Sequence, residues 1–323
     1  MPSANGTGHS SRSARRWGNN ARCRALPATS SAASSAARLA EGRPSHPSSP
    51  SPMIVNQGVT SEVNSAMRNV LVLGGTLEAS ALARALAERG ERAVLSYAGR
   101  VAQPKAQPIA VRVGGFGGVD GLVRHLREAQ VTHVVDATHP FAARMSANAV
   151  AACAACGLPL LALTRPAWQA GPGDRWQTVP DLPAAVAALS GPPQRVMLAL
   201  GRMHLSAFAA QPQHHYILRL VDLPEVRPPL PHHTVIVSRG PFDLKGDIAL
   251  LRAQRVDVLV CKNAGGTGAE AKLHAARELE LPIVMVARPP LAARKEVTRV
   301  AEVLLWLEAA HHAPTSRGAE RGV

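Results

Sequence analysis

From residue 67 onward the chain alternates short apolar runs with amphipathic stretches. Val70-Leu71-Val72-Leu73 is continuously apolar, as expected of a strand buried on both faces. Over 77–89, Ala79, Leu82, Ala83 and Leu86 fall on one helical face and Gly90 follows as a stop. Residues 93–95 and 111–113 predict two further strands. Val119, Leu122, Val123 and Leu126 repeat the helical spacing over 118–129. Residues 133–136 predict a fourth strand, 143–156 a helix and 159–163 a fifth strand. Pro166, Gly171 and Pro172 then break the rhythm. It resumes with strands at 195–200, 216–221, 234–237, 256–261 and 282–286, and with helices at 244–254, 268–279 and near 296–309. Strands alternating with helices imply parallel sheets covered on both sides. The expected fold is α/β: one domain over 67–165 and a second over 166–309, facing each other across a cleft where ligands usually bind.

Residues 1–66 carry no such pattern. They are rich in Ser, Ala, Pro and Arg, with seven Arg against two Glu, and predict a disordered extension. That composition overlaps with an organelle transit peptide. It also fits a start placed too far upstream, with Met67 as the initiator. Residues 310–323 predict a disordered tail.

The remaining composition narrows the class. At 323 residues the chain can bury a substantial core, and 46% of it is hydrophobic with only 3% aromatic, so aliphatic side chains do the packing. Four cysteines make no disulfide framework, and Cys153-x-x-Cys156 sits in an alanine-rich helix, where an inert pair is expected. A reducing, cytoplasmic compartment follows. Twenty uncharged residues separate Arg144 from Arg165. Gly157-Leu158-Pro159 divides them into helix and strand, which argues against a membrane span. Net charge is +14, of which +8 lies in 67–308. Scattered single cations with few aromatics suit a small polyanion better than nucleic acid.

Chemistry concentrates where strands end. Gly74-Gly75-Thr76 links the first strand to a helix, and such a turn offers free amides and a helix N-terminus to a diphosphate. A plain tight turn is the alternative, since the G-x-G-x-x-G spacing is incomplete. The second strand ends in Ser96-Tyr97-Ala98-Gly99-Arg100 with no acid for ribose hydroxyls. Ser96 and Arg100 instead suit a 2′-phosphate, so NADPH is favoured over NADH. Gly115 lies in the glycine-rich run 114–118, which reads either as a flexible loop or as backbone passing close to a ligand. In Asp136-Ala137-Thr138-His139-Pro140, His139 is the candidate proton donor and Asp136 its orienting partner. The same segment also reads as a helix cap through Thr138 and Pro140. Arg144, Arg239, Lys262 and Asn263 are candidates for holding substrate carboxylates. The thirteen histidines form no ligand set, so no metal is expected.

Several blocks in order carry a resemblance: L-G-G-T-x-E at 73–78, S-Y-A-G-R at 96–100, R-V-G-G-F-G-G at 112–118 and V-D-A-T-H-P-F-A at 135–142. G-D-R-W at 173–176, R-G-P-F at 239–242, K-N-A-G-G at 262–266 and A-K-L-H-A-A-R-E-L at 271–279 complete it. Over about 240 residues the chain resembles the precorrin-6A reductases of cobalamin biosynthesis, including their cobalt-precorrin-6A counterparts. Ala264 departs from the pattern, where a small hydroxyl residue is expected. The resemblance implies two Rossmann-like parallel-sheet domains. It implies a cytoplasmic, NADPH-dependent oxidoreductase that reduces one ring double bond of a polycarboxylate tetrapyrrole. No nucleic acid or membrane partner is implied, and the expected state is a monomer or small homo-oligomer. A non-catalytic NADP(H) sensor of the same fold is the alternative.

Overall fold

The computed structural model describes residues 68–99, 106–240 and 242–309. The expectations for the N-terminal extension, for Arg100 and for the tail fall outside the described residues. Both sheets lie in one compact unit.

The first sheet has six parallel strands. In chain order they are β1 (Val70–Leu73), β2 (Ala93–Tyr97), β3 (Ala110–Val113), β4 (His133–Asp136), β5 (Leu160–Leu163) and the last strand of the chain, β12 (Glu296–Val297), in the spatial order β12-β5-β4-β1-β2-β3. The apolar run that predicted β1 is buried throughout. Its alternate residues feed opposite cores, Val70 and Val72 on one face and Leu71 and Leu73 on the other. One face is covered by α1 (Leu77–Glu88) and α7 (Val300–Ala309), the other by α2 (Gly118–Glu128) and α3 (Ala143–Cys156). Gly157 ends α3 with φ 64°, a conformation glycine adopts without strain. The uncharged stretch therefore splits into α3 and β5. No described helix is long and apolar enough to cross a membrane.

The second sheet repeats the plan. It contains β6 (Trp176–Val179), β7 (Arg195–Ala199), β8 (His215–Leu220), β9 (His233–Val237), β10 (Val258–Lys262) and β11 (Ile283–Val286), ordered β6-β11-β10-β7-β8-β9 and all parallel. α4 (Leu182–Ala187) and a 3-10 segment (Arg202–Ala210) cover one face, and α5 (Leu244–Ala253) and α6 (Ala271–Glu278) the other. The order runs outward from β1 and β4 in one sheet and from β7 and β10 in the other. Each sheet is thus doubly wound, with its own switch point.

One domain boundary differs from expectation. The last helix, read as part of the second half, packs Val303, Leu304 and Leu307 into the first sheet's core, and β12 pairs with β5. Periodicity marks an amphipathic helix but does not say which core receives it. Four elements also went unread: β6, α4, β12 and the 3-10 segment over 202–210. β6 is a four-residue edge strand with only its end residues, Trp176 and Val179, packed in the cores, and α4 is a single short helix, so neither produces a long apolar period.

Candidate active site

At the carboxyl edge of the first sheet, one row of residues runs in register across four strands: Asp136, Leu73, Ser96 and Arg112. The turn after β1 sits beside this row. A Cβ at Gly74 would collide with the buried Leu95 side chain and lie 3.3 Å from the Ala79 Cβ. Glycine alone lets the turn pass between β2 and α1. Gly75 has φ 121°, which again favours glycine. Thr76 caps α1: its Oγ1 accepts from the Ala79 amide at 3.1 Å and donates to the Ala137 carbonyl at 2.8 Å. The Gly74 amide donates to the Ser96 carbonyl at 2.9 Å and is spent in the sheet. The amides of Gly75 and Thr76 have no acceptor among the described residues, and a helix leaves its first-turn amides without internal partners. The unpartnered amides of this turn therefore begin at Gly75; Gly74 has its amide in the sheet and Thr76 has its hydroxyl committed.

A small cavity of about 40 Å³ continues this crevice, lined by Gly74, Ser96, Gly115, Phe116 and Thr138 among others. Three of the expected coenzyme residues, Gly74, Ser96 and Gly115, are brought together here. A larger cavity of about 360 Å³, beside Trp168, Trp176, His274 and Arg277, shares no residue with it.

Asp136 does not orient His139. Its carboxylate is buried at 2% exposure and pairs with Arg294, while Oδ1 accepts from the Thr138 amide at 3.1 Å and the Thr138 hydroxyl at 2.7 Å. The two expectations for this segment separate accordingly: Asp136 folds the turn back on itself, and His139 stands apart. His139 Nδ1 accepts from the Phe141 amide at 3.2 Å, which puts the ring proton on Nε2. Burial pushes its pKa down to about 4, aided by the nearby charges of Arg165, Lys262 and Arg288. With that pKa the ring is uncharged at neutral pH, and Nε2–H is the hydrogen that His139, the expected proton donor, presents.

Lys262 closes β10 and reaches the same place from the second sheet. Its ammonium lies 4.7 Å from the centre of the Phe141 ring and 2.7 Å from His204 Nε2. Asn263, expected to hold substrate, is occupied: Oδ1 accepts from the Trp168 amide at 2.8 Å and Nδ2 donates to the Trp168 carbonyl at 2.9 Å. It clamps the segment joining the two sheets. Arg144 lies exposed in the first turn of α3 with no ion-pair partner among the described residues. Arg239 is exposed and paired with Asp222. No recorded contact joins either arginine to the His139–Lys262 group.

Two arginines that sequence reasoning passed over are found here. Arg165 donates to the Ala264 carbonyl at 2.7 Å and pairs with Glu78 of α1 at 3.1 Å. Arg288 donates to the carbonyls of Asn263 at 3.0 Å and Arg165 at 2.9 Å. They follow β5 and β11, which hold matching positions in the two sheets, and each precedes a proline, as Thr164-Arg165-Pro166 and Ala287-Arg288-Pro289. The repeated Arg-Pro after these two matching strands was the available signal. His204 gave none, because it lies on a 3-10 segment without periodicity. Of the thiols, Cys153 is pushed up to about 12 and Cys261 to about 11 by burial, as expected of inert cysteines.

The precorrin-6x reductase CbiJ/CobK family model matches residues 69–308. The chain belongs to that family. It is 56% identical over 252 residues to a precorrin-6A reductase of Rhodobacter capsulatus, covering 78% of this chain and all of that one. It is 44% identical over 243 residues to a precorrin-6A reductase of Mycobacterium tuberculosis, covering 75% and 98%. A cobalt-precorrin-6A reductase of Priestia megaterium is more distant, at 30% over 235 residues, covering 69% and 91%. A solved structure of CobK precorrin-6A reductase superposes with a TM-score of 0.73 at 56% identity, covering 76% of this chain and 98% of that one. As a CbiJ/CobK-family protein the chain is an oxidoreductase of cobalamin biosynthesis, and the blocks quoted from 73 to 279 lie within the matched region.

Proposed function

We propose that this reductase uses NADPH to saturate one ring double bond of precorrin-6A or of its cobalt form. The observation that carries the reading is the pairing of a dinucleotide-type crevice in one sheet with a cationic group, Arg165, Lys262 and Arg288, around an uncharged His139. When bound, the coenzyme would supply a hydride to one carbon of the double bond, and a proton from a protein group or water would complete the reduction at its neighbour. The chain's residues do the rest. Gly74 and Gly75 let the backbone approach the diphosphate, and the first-turn amides of α1 face its charge. Lys262 and the two arginines attract the acetate and propionate groups of the macrocycle. His139 Nε2–H offers a neutral hydrogen bond, and the Phe141 ring helps keep water away from the reacting carbon.

We place the protein in the reducing cytoplasm, on its free cysteines Cys153, Cys156 and Cys261. The test is spectroscopic: purified protein is mixed with NADPH and then with precorrin-6A or its cobalt complex. Loss of reduced-nicotinamide absorbance only after macrocycle addition is expected. Binding of NADPH without turnover on either macrocycle identifies a sensor and refutes the reading.

A further inference from the structure

The residue row at the carboxyl edge of the first sheet holds a cation that the reaction scheme has not yet used. Arg112 on β3 pairs in register with Ser96 on β2, which pairs with Leu73 on β1. Paired residues of parallel strands project to the same side of the sheet. Arg112 and Ser96 therefore stand side by side, and an Arg112 Nη1–H reaches the Ser96 hydroxyl at 3.4 Å. That places Ser96 at the end of the second strand and Arg112 beside it on β3, where a doubly wound fold that binds an unphosphorylated adenosine ribose carries an acid.

The guanidinium is positioned rather than neutralised. It donates to the carbonyls of Gly114 at 2.6 Å and Gly115 at 2.8 Å, and its centre lies 3.9 Å from the centre of the Phe116 ring. No carboxylate pairs with it among the described residues. Burial, and then the Arg112 charge, lower the pKa of nearby His125. An arginine has five N–H donors in a rigid fork, and the three recorded bonds leave others for an anion. The groups it touches, Ser96, Gly114, Gly115 and Phe116, all line the cavity beside Gly74. Stapling the glycine loop needs only the two carbonyl bonds. The uncompensated charge beside a serine hydroxyl, in the place of the missing acid, points to a ligand.

We propose that Arg112, assisted by Ser96, is the 2′-phosphate clamp that makes this protein select a 2′-phosphorylated adenosine. The inference rests on the NADPH reading and deepens it by naming the specificity residue, a role that sequence reasoning gave to Arg100.

The experiment is calorimetric titration of the full-length protein with 2′,5′-ADP, 5′-AMP and NADPH, for the wild type and for Arg112→Gln, Arg112→Lys and Arg100→Gln. Arg112→Gln is expected to weaken 2′,5′-ADP by about 10- to 100-fold, the loss of charge-assisted bonds, with 5′-AMP nearly unchanged. Arg112→Lys keeps the charge without the fork and should fall between. If Arg112→Gln fails to fold, the lysine variant decides alone: a loss confined to 2′,5′-ADP supports the clamp, and an unchanged preference overturns it. Arg112 variants binding like the wild type, or Arg100→Gln alone losing the preference, also overturn it while leaving the NADPH reading intact. A wild-type protein that binds none of the three ligands removes the NADPH reading itself.

Discussion

Arg294 reaches from the segment before the last strand of the chain to the buried carboxylate of Asp136 at the end of β4. The pair is almost fully enclosed, with side-chain exposures of 7% and 1%. Asp136 also holds the amide and hydroxyl of Thr138. The turn leading to His139 is thus tied down by a residue 158 positions away.

Removing one partner of a buried pair leaves the other charge without solvation. Arg294→Met is therefore expected to destabilise the protein by about 3–5 kcal/mol. Pairing it with Asp136→Asn should recover part of that loss, because the asparagine carries no charge to strand. Chemical denaturation of the two single variants and the double variant measures the coupling. Additive losses would show that the pair does not hold the turn.

The ionisation of His139 sets a pH dependence with a definite sign. Its folded pKa, about 4, lies below the ordinary value of 6.5. The unfolded chain therefore takes up the proton first as the medium is acidified. The contribution to stability is complete above about pH 6.5 and is lost as the pH falls toward about 4. Ring NMR should show the His139 resonances unmoved through the neutral range and titrating near pH 4. His139→Gln should flatten that part of the stability profile. A titration near 6.5 would mean that the ring is solvated.

Gly265 and Gly117 both have positive φ, 69° and 81°, yet they should respond differently to alanine. A Cβ at Gly117 meets nothing within 4 Å, whereas at Gly265 it collides with the Pro166 carbonyl and the Arg288 guanidinium. Gly117→Ala should cost about 1 kcal/mol from backbone conformation. Gly265→Ala should cost clearly more, and it should weaken macrocycle binding by shifting Arg288. Thermal melts and substrate titration compare the two. Equal costs would show that the Gly265 loop can yield.

Asn263 and Lys262 are neighbours with opposite expectations. Asn263→Ala leaves the Trp168 amide and carbonyl without their partners and should lower stability by about 1–3 kcal/mol, with a change in tryptophan fluorescence. Lys262→Gln should leave stability nearly unchanged. Its effect should be a KM for the polycarboxylate macrocycle raised about tenfold, with a weaker dependence on salt. Steady-state kinetics at two ionic strengths, beside melting curves, separates the roles.

Most of the central architecture was legible along the chain. Val70–Leu73 and residues 258–261 are uninterrupted apolar runs, and such runs need both faces covered whatever surrounds them. Glycines at 74, 75 and 157 marked turns because no other residue fits those backbones. What could not be read were contacts that depend on distant strands. Asp136 next to His139 in sequence suggested a catalytic pair, but strand direction sends the carboxylate into the sheet, where Arg294 arrives from the far end of the chain. Asn263 looked like a ligand-binding amide and proved to be a clamp, because only the fold brings Trp168 to it.

The amino-acid order by itself determined two parallel α/β halves, the strand ends where chemistry collects and the family to which the chain belongs, since periodicity and local turn chemistry act over a few residues. Tertiary structure alone decided that the last helix returns to the first sheet, that two Arg-Pro corners meet beside His139, and that Arg112 of β3 stands beside Ser96. Those outcomes depend on strand order and register, which are set by burying several apolar faces at once and not by any one segment.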